Sequence, residues 1–296
     1  MPKLSQHLYG TLITALGVLI LTPDGLLVRL ISADAWTLLF WRGLFFGSAV
    51  LGFYILRFGS GAFDRFRNIG VMGIQATLLF TLSSVFFVQA LHHTSVANTL
   101  VLIATAPFFS ALLSRVFLKE KIGKSTVIAI LISCGGIAFI FKGSLSSDHL
   151  NGDFYALCSA FCIASQITTV RRSKLVDMVP TLGFSGILLA VIALFFADSL
   201  SVSTSDMGLL VLLGFVVIPI AFGLITIGPR YIPAAEVSLL MLLETFLGPL
   251  WVWLALGEEP SFETFIGGSL VLTTLAIHTV YNAKMRSNAA PTTNSV

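Results

Sequence analysis

Charge is what this sequence has least of. Lys, Arg, Asp and Glu make up 10% of its 296 residues and apolar types 56%, against roughly 25% charged in an ordinary soluble domain. A soluble chain of this length needs a charged surface, and this one cannot build it. The composition therefore excludes an aqueous globular fold and implies an integral membrane protein.

Other absences narrow the function. There is no Gly-x-x-x-x-Gly-Lys-Ser/Thr loop, which excludes ATP hydrolysis through a P-loop in this chain. There is no basic run interleaved with aromatics, so nucleic acid is not an expected partner. The cysteines Cys134, Cys158 and Cys162 all lie in apolar runs and form neither a disulfide framework nor a zinc pattern; they read as small core residues. The histidines His92, His93 and His278 share no ligand spacing with nearby acids and read as interfacial residues. No metal site, no cofactor and no catalytic residue is expected, and no polar segment is long enough for a catalytic domain. The strict alternation of a transmembrane β-barrel is also missing.

What is present is a succession of some ten apolar runs, most near the ~20 residues a helix needs to cross a bilayer. They cover 8–31, 35–56, 69–91, 95–118, 125–141, 154–170, 180–197, 207–227, 234–256 and 262–281. The first begins with a basic residue, as a signal peptide would, but continues to Ile31 without a small-x-small cleavage pattern; it reads as a retained helix. The polar end, 287–296, reads as a disordered cytoplasmic tail. Lys and Arg concentrate in alternate spacers, from Arg57, Arg65 and Arg67 through Lys119, Lys121 and Lys124 to Arg171, Arg172, Lys174 and Arg230. The opposite side has little more than Arg29 and Lys142, with acids such as Asp34, Asp198, Glu258 and Glu259. By the positive-inside rule both termini are cytoplasmic, in an inner or plasma membrane.

The chain also repeats. Laying 96–130 over 234–268 places Phe108 on Phe246, Leu118 on Leu256, Glu120 on Glu258 and Thr126 on Thr264. A slightly larger offset places Gly10 on Gly152 and Arg29 on Arg171. The turn "KEKIGK" is basic and its counterpart "GEEPSFE" acidic, as expected if an odd number of helices turns the second half over in the membrane. The expected fold is all-α: ten transmembrane helices as two inverted five-helix repeats, 1–146 and 147–286, around a central cavity.

The segments "FWRG" (40–43), "ATAPFFSALLSRVFLKEK" (104–121) and "LLETFLGPLWVWLALGEEPS" (242–261) resemble the EamA-type repeats of the drug/metabolite transporter superfamily. Two copies at matching places span nearly the whole chain. Among subgroups the chain is similar to the YddG-type exporters of aromatic and other amino acids. The resemblance implies a secondary transporter exporting amino acids or related small metabolites by alternating access. A multidrug or nucleotide-sugar carrier of the same fold is the alternative; a membrane lipid enzyme or a channel fits less well. The expected partners are a small-molecule substrate and the bilayer, with the oligomeric state open and a monomer sufficient. One departure is that family repeats often carry Glu-Pro in this helix, whereas here the first half has Ala106-Pro107 and the second Glu244-Thr245, with proline displaced to Pro249.

Charges within a membrane are costly and face a partner or a wet cavity. Asp24 and Arg42 each lie about seven residues from the same end of consecutive runs, roughly 10 Å deep at 1.5 Å per residue. They can form an ion pair that locks the first two helices, or one that breaks or titrates during transport. Glu244 falls near the middle of its run with no basic residue assigned to its depth. Desolvation there favours the neutral acid, which can pack, bind a substrate ammonium or carry a coupling proton. Asp24 can likewise meet a substrate's cationic group, and Ser83, Asn98 and Gln166, the last aligned with Asp24, are further candidate substrate contacts, although polar residues also glue membrane helices together. Pro23, Pro107, Pro219 and Pro249 are candidate hinges.

Overall fold

The computed structural model describes residues 6–94, 96–142 and 150–257, and positions 266, 267, 269, 270, 273, 274, 277, 278 and 281 of the final segment, which are helical. The division near 146/147, the acids Glu258, Glu259 and Glu263, and the tail 287–296 lie outside the described residues. Among the described residues all regular structure is helical, and a helix satisfies its own backbone hydrogen bonds where lipid offers none.

In chain order the helices are α1 (Gln6–Leu21), α2 (Asp24–Leu30), α3 (Ala35–Phe58), α4 (Gly61–Asn68), α5 (Gly70–His93), α6 (Val96–Ile103) and α7 (Ala106–Phe117). There follow α8 (Lys124–Lys142), α9 (Leu150–Arg172), α10 (Pro180–Phe196), α11 (Thr204–Val211), a π-helical stretch (Leu212–Val217), α12 (Ile218–Ile227) and α13 (Ala234–Leu256). Among the described residues six helical runs are long and apolar enough to cross a membrane: Gln6–Leu30, Ala35–Phe58, Gly70–His93, Leu150–Arg172, Thr204–Arg230 and Ala234–Leu256. The helices Ala106–Phe117 and Pro180–Phe196 and the stretch Lys124–Gly136 are apolar but shorter.

Three apolar runs depart from single helices. The first breaks at Thr22-Pro23, where proline supplies no N–H. Run 95–118 divides into α6 and α7 at Ala104-Thr105, because Pro107 cannot continue the α6 ladder; it sits in the first turn of α7, where no donor is needed. Run 207–227 widens into π geometry before Pro219, and the Ile218 N–H reaches back to the Leu213 carbonyl.

The polarity of the bundle is inverted relative to a soluble protein. Leu56, Phe195 and Leu254 are among the exposed side chains, while Thr14, Ser110 and Ser238 are fully buried. Helices are joined by small residues and hydroxyls. α3 packs along α10, and a Cβ on Gly43 would lie 2.6 Å from the Gly186 carbonyl oxygen, so only glycine permits this crossing. α5 pairs with α9 through Ser83 and Ser159, whose hydroxyls lie 3.1 Å apart, and the Ser159 hydroxyl also donates to the Ser83 carbonyl at 3.0 Å. α7 meets α13 through the Ser110 and Ser238 hydroxyls, 2.5 Å apart, and α1 packs on α12. His278 is 7% exposed and its Nε2 lies 3.1 Å from the hydroxyl of Thr126 in the first turn of α8, so packing against that helix end buries it.

Candidate functional site

The break at Thr22-Pro23 starts α2 with Asp24 in its first turn, where the helix dipole favours a carboxylate. α3 begins at Asp34, which accepts hydrogen bonds from the N–H groups of Trp36 and Thr37, and carries Arg42 two turns further on. The two side chains meet end to end: Arg42 Nη1 donates to Asp24 Oδ1 at 2.6 Å and Nη2 to Oδ2 at 2.8 Å. Asp24 is 2% and Arg42 4% exposed, so this bidentate pair is buried. The guanidinium carbon lies 5.7 Å from the centre of the Phe87 ring.

Asp24, Arg42, Ser83 and Glu244 line one cavity, with apolar walls that include Phe80, Phe87, Phe222 and Met241. Its volume is about 50 Å³, enough for a few waters and far below the ~300 Å³ or more of a cavity that encloses a small-molecule ligand. A solute of amino-acid size enters only if the helices part. Glu244, though 7% exposed, makes no hydrogen bond and no ion pair within 4 Å among the described residues. It is not isolated in charge: Asp24 and Arg42 share its cavity, which helix-by-helix depth alone did not foresee.

α13 holds Glu244 against both broken helices. The Thr245 hydroxyl donates to the Leu100 carbonyl of α6 at 3.3 Å. Trp251 Nε1 donates to the Thr22 hydroxyl at 2.9 Å. Between them, Gly248 lets the chains approach; a Cβ there would lie 2.6 Å from Leu100 Cδ1.

The remaining candidates divide. Ser83 is in the cavity wall, but its hydroxyl is engaged with Ser159, which lines the same wall. Gln166 is buried on α9, one turn beyond the cavity-lining Ile163, and does not line that cavity. The side chain of Asn98 lies outside the described residues. Pro23 separates α1 from α2, Pro107 and Pro219 open α7 and α12, and Pro249 lies within α13.

The structure adds three polar contacts that the sequence did not single out. His7 Nε2 lies 2.6 Å from Glu236 Oε2, and Arg171 Nε donates to Glu120 Oε1 at 2.8 Å and Nη1 to the Pro229 carbonyl at 2.9 Å. The sequence signal was slight: Glu120 and Arg171 both stood among the residues aligned by the repeat.

A bundle with an apolar exterior, several membrane-length helices and a buried, charged cavity is a multi-pass membrane protein. Residues 7–142 and 150–280 match the EamA-like transporter family, and the chain belongs to that family. An uncharacterized transporter of Bacillus subtilis (strain 168), YdfC, is 25% identical over 175 residues. That match covers 57% of this chain and 57% of YdfC, so the chain spans little more than half the length of this curated relative. A solved crystal structure superposes with a TM-score of 0.76 over 93% of this chain and 98% of its own; at 20% identity the likeness is one of fold alone.

Proposed function

We propose that this transporter is a secondary active exporter of amino acids, aromatic or other neutral ones, or of related small metabolites, working by alternating access across the cytoplasmic membrane. The observation that carries this reading is the charge set of the cavity: one guanidinium and two carboxylates, Arg42 with Asp24 and Glu244, enclosed by phenylalanines. A zwitterion matches it. Its ammonium goes to Glu244, its carboxylate competes with Asp24 for Arg42, and an apolar side chain meets Phe80, Phe87 and Phe222. The surplus carboxylate also suits a cationic drug. A nucleotide sugar, with several negative charges, would meet two carboxylates and a single guanidinium.

We read the chain as ten membrane helices in two inverted halves, 1–146 and 147–286, with cytoplasmic termini. Helix pairing supports this. If each half has five helices, exchanging the halves turns the contact of α1 with α12 into that of α9 with α5, and leaves α3 with α10 and α7 with α13 unchanged. The helix breaks at Pro23 and Pro107 and the π stretch before Pro219, with Pro249 in α13, are the points at which the halves flex around the cavity.

Counterflow in proteoliposomes tests this, with labelled neutral amino acids, cationic drugs and nucleotide sugars at two external pH values. Wild-type protein should accumulate a neutral amino acid, and Glu244→Gln should lose roughly tenfold or more of that flux with unchanged unfolding. If Glu244 carries a coupling proton, the wild-type flux varies with pH and the residual Gln flux does not. Wild-type flux from Glu244→Gln would remove Glu244 from the mechanism, and accumulation of nucleotide sugars alone would overturn the substrate class.

A further inference from the structure

A second, larger concavity lies on the outside of the bundle, between α3 and the run from the π stretch through α12, with a volume of about 480 Å³. Its walls are apolar along most of their length: Ala49, Val50 and Phe53 face Phe215, Ile220 and Leu224. Gly223 borders open space in it, since a Cβ built there meets nothing within 4 Å. Between Phe215 and Arg230 the wall extends about 20 Å at roughly 1.5 Å per residue. That exceeds the ~15 Å of one leaflet in a hydrocarbon core of about 30 Å.

Polar groups gather at one end only, where Tyr54, Asp177 and Arg230 line the groove. Asp177 is already engaged. Its Oδ2 accepts the Tyr54 hydroxyl at 2.7 Å and lies 3.8 Å from Arg65 Nη1, and its Oδ1 accepts from the Val179 N–H at 3.3 Å. Arg230 donates Nε to the Lys174 carbonyl at 3.2 Å, while its two Nη groups make no hydrogen bond among the described residues. Arg65 therefore shares Asp177 with Tyr54, and Arg230 lines the same end of the groove with its Nη groups uncommitted among the described residues.

We propose that this groove is a binding site for an anionic phospholipid, with one acyl chain along the apolar walls and the phosphate on the Nη groups of Arg230. A guanidinium with both Nη groups available suits phosphate oxygens. A soluble anion would leave the apolar length unused, and a neutral oil would leave the arginine unused; a phospholipid uses both. In the orientation proposed above, Arg230 faces the cytoplasmic leaflet, whose surface is negative. The groove is walled by the π stretch and Pro219, so an occupied groove braces a segment that transport requires to flex.

The test uses the full-length protein in detergent with dioleoylphosphatidylglycerol or dioleoylphosphatidylcholine at matched concentrations. Native mass spectrometry counts retained lipid and thermal unfolding reads stabilisation. Wild-type protein should prefer the glycerol lipid by about fivefold, the scale of one basic residue at a membrane surface. Arg230→Gln should reduce that preference to about parity. Gly223→Leu, which fills the groove, should lose retention of both lipids while its lipid-free unfolding matches wild type. Equal retention of the two lipids by wild type, or an undiminished preference in Arg230→Gln, overturns the proposal. So does inorganic phosphate reproducing the whole stabilisation, since it has no acyl chain. If Gly223→Leu does not fold, the headgroup comparison and Arg230→Gln still decide.

Discussion

In the first half of the chain two helices break, α1/α2 at Thr22-Pro23 and α6/α7 at Ala104-Thr105, whereas their sequence counterparts α9 and α13 run whole. The charges follow the same division. The first half contributes both members of the buried ion pair, Asp24 and Arg42; the second contributes Glu244, which makes no ion pair among the described residues. Where Asp24 stands, the repeat offers Gln166, and where Glu244 stands it offers Ala106. Two copies of one architecture have thus diverged into different parts. One supplies two broken helices and a neutralised charge couple; in the other, α13 presents an acid without a salt bridge among the described residues and, through Thr245 and Trp251, contacts both broken helices.

Removing Arg42 should break this division most severely. Arg42→Ala leaves Asp24 buried without compensation, which typically costs about 3–5 kcal/mol. The expected outcome in chemical or thermal unfolding is a large loss of stability, with transport lost as well. Asp24→Asn combined with Arg42→Gln should recover much of the stability and none of the substrate exchange, because the uncompensated charge is gone but the guanidinium is too. A cost for Arg42→Ala of less than about 1 kcal/mol, the range of exposed pairs, would mean that the ion pair does not hold the first half.

Composition made the membrane setting legible, and Pro23 announced the first break. The second break fell at Ala104-Thr105 rather than at Pro107 itself, because a proline ends the preceding helix before its own position and is accepted into the first turn of the next. Asp24, Arg42, Ser83 and Glu244 could each be marked as polar residues out of place, but not that all four border one cavity. Counting residues gives depth along a helix and says nothing of which distant helix lies opposite. The same limit hid the pairing of His7 with Glu236 and of Glu120 with Arg171, whose members are far apart in sequence and lie near helix ends, where charges are common. Gln166 shows the converse: a shared alignment column with Asp24 did not bring it to the cavity, which α9 lines through Ser159 and Ile163 instead.

A smaller perturbation loosens α13 from the broken helix α6/α7. Gly248→Ala puts a methyl 2.6 Å from Leu100 Cδ1, and Leu100 is only 2% exposed. The clashing atom ends a side chain that can shift, so the cost should be near the lower end of the usual 1–3 kcal/mol for overpacking. Gly52→Ala in α3 is the control, because a Cβ there meets nothing within 4 Å; replacing glycine within a helix should be neutral or stabilising by up to about 1 kcal/mol. If the two variants unfold alike, close packing of α13 on α6 is not what positions Glu244.

The smallest effect concerns how the two mutually packed helices α3 and α10 begin. α10 has Pro180 in its first turn and no side-chain cap, whereas α3 is capped by Asp34. Asp34→Ala should cost about 1 kcal/mol, the usual worth of an N-cap, and Asp34→Asn, which caps as well, much less. The effect should also depend on pH. Burial raises the Asp34 pKa, but hydrogen bonds from Thr37 and Trp36 outweigh it and hold the carboxyl below its ordinary value. With the folded pKa below the unfolded one, the ionised cap contributes fully above about pH 4, the unfolded value. That contribution is lost as pH falls through the depressed folded value. Unfolding of wild type and Asp34→Ala should therefore differ constantly from neutral pH down to about 5 and converge in stronger acid. A difference that persists undiminished at the acid end would mean that Asp34 acts through packing, and that the two helices differ in their starts without differing in how charge holds them.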